Sequence, residues 1–450
     1  MSLSLQLCDP KIIVESWQLL LLSYFRRSDE TNNSDDVYNI FAEIENLIKK
    51  LPASAVDAQR HVLIEFTLGY NDFIKYDYRN ALQHFQSITP SRLISACLAE
   101  CQRLILLCHI QLAENLENIV QSANELYNTI ESFGNLENEQ YCRAALVLLD
   151  AYIDRSSNST KVNNLKNKIL RIIQKHIGTP IFDEFEACYN RKAALYYAAV
   201  IAYKQTEQSV HFYKNHFNKK GTYMALCNHS GNAIVSGRYD VARAAIEECN
   251  SMIDSCNSWY YPSQYKIINN KILLDYLAEE KDAKGNREKI LKAANKATKL
   301  FSKVIDCQHD EVSHVALFNY IGLSMLCQTN TCEKELSDAN NLLPNLDEFY
   351  QYYLYDLNYA RALLNGEPKE AKNWLGKLKS LDVPLLRHYK TILQKRQSTQ
   401  ENLLINVNTI IRDPFEYHNI VQTTCNHIQD NSCYFWGRGF LLSDLQFLSF

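Results

Sequence analysis

A loosely repeated spacing of small and large residues, here called the phrase, recurs as a sequence motif along the chain. Each copy has a small residue on one segment, a polar turn, then an alanine and a large apolar residue four positions further on. The copies are Gly69 with Ala81 and Phe85, Ser230-Gly231 with Ala242 and Ile246, and Ala360 with Ala371 and Leu375. Small residues let two helix backbones approach, and large residues fill the groove beside them. The phrase therefore predicts a stack of helical hairpins, an architecture that offers a long surface.

Helical periodicity extends over most of the chain. Apolar residues recur at intervals of three and four, as in the series Leu98, Cys101, Leu104, Ile105 and Cys108. The chain has only 12 Gly and 9 Pro, fewer than strands joined by tight turns usually need. Gly237 is expected to end a helix in the left-handed conformation. We predict an all-α fold, a single right-handed α-α superhelix (solenoid) of hairpins that are each about 40 residues long.

The breaks in the pattern divide the chain into three parts. We predict an N-terminal helical cap over 1–55, a solenoid of helical repeats over 56–412, and a capping or docking segment over 413–450. Within the solenoid, one pair of helices is predicted over Phe182–Tyr203 and Thr206–Phe217. The last segment is rich in aromatic residues around Trp436. It either covers the open face of the final repeat or docks another subunit, since an exposed aromatic patch is costly without a partner.

Charge and cysteine content exclude several functional classes. The formal net charge is −4, from 47 basic and 51 acidic residues, and this balance argues against a generic nucleic-acid binder. The apolar run from Trp17 to Phe25 is too short to span a bilayer, so we expect no membrane partner. The 14 cysteines are irregularly spaced in a long chain, which favours reduced thiols and a cytoplasmic location.

No catalytic or metal-binding motif rises above background. The chain has no phosphate-binding glycine loop, no nucleophile elbow and no HExxH pair. Cys97, Cys101 and Cys108 lie on one stripe of one helix, and small core positions explain such a stripe better than a metal site does. A looser group near the end has the spacing of no common zinc signature and comprises His418, Cys425, His427 and Cys433. We expect a non-enzymatic protein without a metal or other cofactor.

Three segments, 65–90, 226–252 and 356–384, resemble tetratricopeptide repeats (TPR). Gly69, Ala81 and Phe85 match the family's spacing in the first copy, and Ala242 and Ile246 match it in the second. The third copy matches at Ala360 and Ala371, with one residue deleted between. Most of the units lack the family's tryptophan on the first helix. The resemblance implies a protein-binding superhelix that holds its ligands on the concave face by its first helices.

The resemblance also points to candidate residues for partner binding. In clamp-type members of the family, asparagine and a basic residue on first helices hold a peptide's backbone or carboxylate. The corresponding candidates are Asn228, Asn232, Asn269, Asn319, Asn358 and Arg361. Tyr355, from a tyrosine-rich helix, and Trp436 are added because aromatic side chains bury a large area with little loss of rotamer entropy. The alternative is that the polar candidates are solvated residues and that the tyrosines are packing residues.

These observations predict a non-catalytic scaffold or adaptor that binds a protein or peptide partner on its helical surface. The alternative is a regulatory or sensor module that recognises a peptide or protein signal and controls a separate effector enzyme. A ligand-dependent change of interactors would distinguish the second from the first. No feature of the sequence predicts the oligomeric state or the identity of the partner.

Overall fold

The computed structural model is all-α over the residues that it describes. These residues are 15–16, 18–23, 42, 46, 57–75, 77–112, 116–133, 138–155, 159–176, 178–193, 199–215, 219–253, 261–305, 310–327, 332–346, 348–381, 390–405, 413–417 and 419–420. Helices, their caps and short turns account for these ranges, and no strand occurs within them. The prediction of an all-helical chain is confirmed to that extent.

Consecutive helices follow one another through short connections. They are α1 (Asp57–Ile74), α2 (Tyr78–Ser87), α3 (Ser95–Gln111), α4 (Leu116–Ser132), α5 (Asn138–Arg155), α6 (Ser159–Lys175), α7 (Pro180–Ala193), α8 (Ala199–Asn215), α9 (Lys219–Val235), α10 (Tyr239–Ile253), α11 (Tyr261–Ala283), α12 (Arg287–Phe301), α13 (Asp310–Leu326), α14 (Cys332–Asn341), α15 (Glu348–Leu364), α16 (Pro368–Ser380) and α17 (Lys390–Ile405). Single 3-10 turns at Pro90–Arg92 and Leu343–Asn345 precede α3 and α15.

Local sequence explains where several helices begin and end. The carboxylate of Asp77 accepts a hydrogen bond from the backbone N–H of Asn80 and caps α2, and Asn286 caps α12 in the same way through Lys289. Gly237 has φ +68°, and the next residue's N–H bonds back to the carbonyl of Ala233. Only glycine adopts this conformation without a Cβ penalty, so the predicted end of α9 is confirmed.

The helices form two sets that pack differently. Each helix packs against the next one along the chain, from α1 to α17. The odd-numbered helices also contact one another in the order α3–α5–α7 and α9–α11–α13–α15. In addition α15 contacts α5, about 200 residues earlier in the chain. The odd-numbered helices are together called the odd layer below; within it α3–α5–α7 and α9–α11–α13–α15 form two rows that meet where α15 contacts α5.

Burial differs between the two sets in the way this arrangement requires. Every residue of α9 from Gly221 to Ile234 is buried, whereas α12 buries one stripe, Ile290, Ala293, Ala294, Ala297 and Phe301. A helix that is covered on all sides lies between other helices, and a helix with one apolar stripe lies at the outside. Helices α3, α5, α9, α13 and α15, which are buried along most of their described length, thus lie in the interior, whereas α12 faces solvent on one side.

The three segments that resemble tetratricopeptide repeats each fall on a pair of consecutive packed helices: α1 and α2, α9 and α10, and α15 and α16. In the first pair a Cβ atom at Gly69 would lie only 2.7 Å from the ring of Phe85. The two residues on which the resemblance rests are therefore in direct contact. Ala81, Ala242, Ala360 and Ala371 are all fully buried.

One predicted helix boundary is wrong. The sequence pattern placed the end of a helix at Tyr203 and the start of the next at Thr206, but α8 runs without a break through both positions, from Ala199 to Asn215. Thr206 is completely buried and hydrogen-bonds the ring of His229 on α9 at 3.0 Å. The break placed between Tyr203 and Thr206 therefore falls inside a helix that packs against α9.

The described ends of the chain pack on the helical body. Near the N-terminus Gln18, Leu21 and Leu22 are buried, and the Gln18 side chain accepts a hydrogen bond from the backbone N–H of Ile94 at the start of α3. The rest of the predicted 1–55 cap, apart from a few helical positions, and residues 421–450 lie outside the described ranges. The predicted domain limits stay predictions. None of the described helices has the length and apolar character needed to cross a bilayer.

Candidate partner-binding site

The structure places the polar site candidates on the odd layer. Asn228 and Asn232 lie on α9, Asn269 on α11, Asn319 on α13, and Asn358 and Arg361 on α15. All five asparagines are at least 94% buried, so they are not solvated surface residues. Tyr355 on α15 is half-buried, and Trp436 lies outside the described residues.

The odd layer holds most of the buried polar side chains of the described chain. Besides the asparagines they include Arg103, His109, His229, Lys266, Asn270, Glu280, Ser324, Asp356 and Gln400. A buried polar group costs free energy unless it is paired. Whether each amide has a partner therefore separates structural residues from candidates for ligand binding.

Helices α9 and α11 are joined at their centres by a buried amide contact. The side-chain amide of Asn270 donates to the hydroxyl of Ser230 at 3.1 Å, and Ser230 in turn donates to the carbonyl of Cys227 at 2.7 Å. This contact fixes the register of the two helices. It places Asn228, one position from Cys227, and Asn269, next to Asn270, near the same level of the odd layer.

Asn269 has an unusual environment. Its side chain is completely buried, and neither its Nδ2 nor its Oδ1 has a hydrogen-bond partner among the described residues. The Nδ2 of Asn228, at 3% exposure, also has no partner in that part of the chain. Leaving a buried donor or acceptor unpaired costs roughly 1–3 kcal/mol for each group. The free protein therefore carries the cost of unpaired amide groups on α9 and α11.

Other polar groups accompany Asn269 along α11. Lys266, Asn269, Tyr276 and Glu280 are spaced by three, seven and four residues, which puts them on one side of the helix. All are at least 95% buried. The hydroxyl of Tyr276 donates to the Glu280 carboxylate at 3.1 Å. This side of α11 thus carries a lysine, an unpaired amide and a carboxyl group in the interior of the protein.

Asn358 has a different role from Asn269. Its amide exchanges two hydrogen bonds with the amide of Asn340 on α14, at 2.7 and 3.0 Å, and it also donates to the carbonyl of Leu354. Both polar ends of the side chain are therefore satisfied within the chain. The structure makes Asn358 a link between α14 and α15.

Replacing Asn358 by leucine is expected to destabilise the protein by about 2 kcal/mol, because the Asn340 amide would lose its partner in a partly buried position. The double variant Asn340→Leu/Asn358→Leu should recover most of that loss, since no unpaired amide remains. Urea unfolding of the two single variants and the double variant gives the coupling energy directly. A coupling energy near zero would contradict the reciprocal amide pair.

Arg361 is engaged by three carboxylates of its own chain. Its guanidinium lies 3.0 Å from Glu333 on α14, 3.1 Å from Glu367 and 3.4 Å from Glu370 on α16. Glu367 and Glu370 also share a hydrogen bond, which raises the pKa of Glu367 and lowers the pKa of Glu370. The arginine that was expected to pair with a ligand's acid ties three consecutive helices together in the free protein.

Tyr355 faces the following helix. Its ring lies 5.6 Å from the ring of Trp374 on α16, and the ammonium of Lys377 sits 3.9 Å from the centre of the Trp374 ring. Trp374 donates its indole N–H to Glu370, which belongs to the Arg361 cluster. Tyr355 therefore packs between α15 and α16, away from the amides of α9 and α11.

Two features of the interior were missed by sequence reasoning. The Thr206–His229 contact was missed because its two residues lie on different helices, 23 positions apart. The second is the return of residues 413–417 to the body of the protein, where Asp413 pairs with Arg287 across 126 positions. The aromatic and acidic character of this segment was a signal for packing, but nothing local in the sequence identified its partner.

The cysteines predicted to be core residues are buried. Cys97, Cys101 and Cys108 are free thiols with at most 3% exposure, and the first two contact backbone carbonyls of Gln18 and Phe85. Burial raises the pKa of Cys101 to about 12. Within the described ranges no group of three or more His, Cys, Asp or Glu side chains is arranged to hold a metal ion. His418, Cys425, His427 and Cys433 have no described side chains.

Sequence comparison adds no relative to this description. No protein-family model matches the chain, and no curated protein is detectably similar to it.

Proposed function

We propose that this chain is a non-catalytic scaffold or adaptor of the cytoplasm, built as a right-handed α-solenoid of TPR-like hairpins, that binds a protein or peptide partner through its odd layer. Two features support the solenoid. Helices pack in consecutive pairs, and alternate helices contact one another. Packing of each hairpin on the next is expected of a repeat array, and the α5–α15 contact adds a connection between distant repeats. The free thiols of the described cysteines fit a reducing compartment.

The observation that carries the proposal is the unpaired, completely buried amide of Asn269 on α11, together with the unpaired Nδ2 of Asn228 on the neighbouring helix α9. An asparagine offers two donors and an acceptor, the same groups that an extended peptide main chain needs from its receptor. Amides placed on successive helices can pair with successive peptide groups. A preformed set of such groups lowers the entropic cost of binding.

A second candidate function, the regulatory or sensor module, is favoured by the burial of these amides. Because Asn228 and Asn269 are at most 3% exposed, a partner reaches them only if neighbouring helices separate. Binding would then change the curvature of the whole stack, and a change of shape is what a sensor transmits to an effector. An adaptor with a rigid groove would show no such change.

The proposal predicts that peptides can be selected from a random twelve-residue library by the immobilised full-length chain, and that Asn228 and Asn269 bind them. The variants Asn228→Leu and Asn269→Leu should each weaken the affinity of selected peptides at least tenfold, measured by calorimetry. Asn373, exposed on α16, provides the matched control. Its replacement by leucine should leave affinity unchanged. Small-angle scattering with bound peptide separates the two functions, since the radius of gyration changes only for the sensor.

Two results would contradict the proposal. One is a selection that returns no peptide above background. The other is a set of peptides that binds the Asn228 and Asn269 variants as tightly as the wild type.

A further inference from the structure

The segment 413–417, here called the strap, crosses several hairpins after the last described repeat helix. Arg287, the first residue of α12, donates two hydrogen bonds to the carboxylate of Asp413, at 2.6 and 3.1 Å. The same guanidinium lies 5.3 Å from the centre of the Phe415 ring. A two-bond arginine–carboxylate contact with an aromatic ring beside it fixes the orientation of the strap as well as its position.

The other end of the strap is held in the interior. Tyr417 is completely buried, and its ring centre lies 6.5 Å from that of Tyr359 on α15. The amide of Gln400 on α17 donates to the carboxylate of Asp356 at 2.8 Å and lies 3.5 Å from the Tyr417 hydroxyl. The strap therefore joins α12, α15 and α17, which belong to three different hairpins.

The contacts define what this surface recognises. Arg287 binds a carboxylate. An aromatic ring two residues later packs beside the guanidinium, and a tyrosine two residues after that packs against Tyr359 and Gln400. In the strap these groups are Asp413, Phe415 and Tyr417, with Pro414 also buried. The recognised chemistry is thus an acidic residue followed by two aromatic residues at alternate positions.

The strap fills this surface incompletely. The Oε1 of Gln400 is buried and has no hydrogen-bond partner in the described part of the chain, although Gln400 is completely inaccessible to solvent. The Arg287–Asp413 pair is half-exposed, with 51% and 31% of the two side chains accessible. Exposed ion pairs of this kind contribute little to stability. The Arg287–Asp413 anchor is therefore weak. The anchor at Tyr417 leaves the Oε1 of Gln400 unpaired, and a ligand that donates a hydrogen bond to it would bind better.

We propose that the surface formed by Arg287, Asp356, Tyr359 and Gln400 is a docking site for a partner segment with the acid–aromatic–tyrosine pattern, and that the strap is its internal occupant. The proposal goes beyond the partner-binding function above, because it concerns a different surface, on α12, α15 and α17. In the free protein the strap holds the site closed. A partner segment of the same chemistry displaces the strap, so the strap sets the threshold for binding.

A labelled synthetic peptide of residues 411–420 tests the proposal by fluorescence anisotropy. The full-length wild-type chain should bind this peptide weakly, because its own strap competes. The full-length variant Asp413→Asn/Tyr417→Ala, in which the strap is weakened, should bind it at least tenfold more tightly. Adding Arg287→Asp should abolish that gain, and a peptide with Asp413→Arg should restore it through the reversed ion pair. Circular dichroism checks that each variant keeps its helix content.

Two results would overturn the proposal. If the strap-weakened variant loses helix content, the strap is an integral part of the fold and not an exchangeable occupant. If the peptide binds wild type and the strap-weakened variant equally, or ignores Arg287→Asp, the surface does not recognise this pattern. Neither result bears on Asn228 and Asn269, which lie on other helices. Peptide binding at those amides is tested separately, by the Asn228→Leu and Asn269→Leu variants.

Discussion

Replacing Gly221 by alanine is expected to lower the free energy of unfolding by about 3 kcal/mol, the upper end of the range for overpacking a core. Gly221 lies in the first turn of α9, where a Cβ would stand 2.5 Å from Cε1 of Tyr213 on α8 and would overlap Cδ1 still further. The Tyr213 ring is 3% exposed and packs against Phe212, so it cannot move aside. Gly69→Ala should act in the same direction but less strongly, because the closest approach to Phe85 is 2.7 Å.

Gly376 provides the matched control for this prediction. It is also a glycine inside a helix, α16, but no atom of the described chain lies within 4 Å of the position that a Cβ would take there. Gly376→Ala should therefore stabilise the protein by about 0.5–1 kcal/mol, the ordinary helix preference of alanine. Urea unfolding followed by circular dichroism measures all three variants, and Tyr213→Leu should rescue Gly221→Ala. Equal stability of the Gly221 and Gly376 variants would contradict the close approach of α8 and α9.

Lowering the pH from 7.5 to 5 is expected to destabilise the protein by about 4 kcal/mol through two buried histidines. Burial lowers the pKa of His229 and of His314 from the usual 6.5 to about 4. The unfolded state therefore binds more protons than the folded state between pH 6.5 and pH 4. Stability is complete above pH 6.5 and falls as the pH drops through that window, by about 2 kcal/mol for each histidine at pH 5.

The surroundings of His229 identify the cause of this effect. Burial makes the largest contribution to its lowered pKa; His211, Lys214 and Arg238 lower it further, whereas Glu207 raises it. His229→Asn should remove about half of the acid sensitivity, because asparagine can keep the hydrogen bond with Thr206 and does not titrate. Urea midpoints at pH 7.5, 6.0 and 5.0 measure the effect, and a variant profile parallel to wild type would refute the role of His229.

The all-α fold and most helix boundaries could be predicted from the chain because they depend on local signals. The pattern of Gly69, Ala81 and Phe85 indicates a contact between neighbouring helices. Gly237 indicates a backbone with positive φ at the end of a helix. Each of these signals lies within one hairpin. The boundary placed near Thr206 was wrong because its partner, His229, lies on the next helix and is 23 residues away.

The environments of the site residues could not be predicted because they depend on distant parts of the chain. Asn269 and Asn358 are both asparagines on first helices of hairpins, and the sequence offers no reason to separate them. Only Asn340 makes Asn358 structural, whereas Asn269 has no such neighbour among the described residues. The return of Asp413 to Arg287 spans 126 residues.

The most direct test of this account is the stability of Asn269→Leu, measured by urea unfolding of the full-length chain beside Asn358→Leu. If the protein keeps an unpaired amide at position 269 for a partner, removing the amide should stabilise the free protein by about 1–2 kcal/mol and weaken binding of selected peptides. Asn358→Leu should instead destabilise the free protein. A loss of stability in Asn269→Leu as large as that in Asn358→Leu would mean that Asn269 is a structural residue, and the proposed site would be wrong.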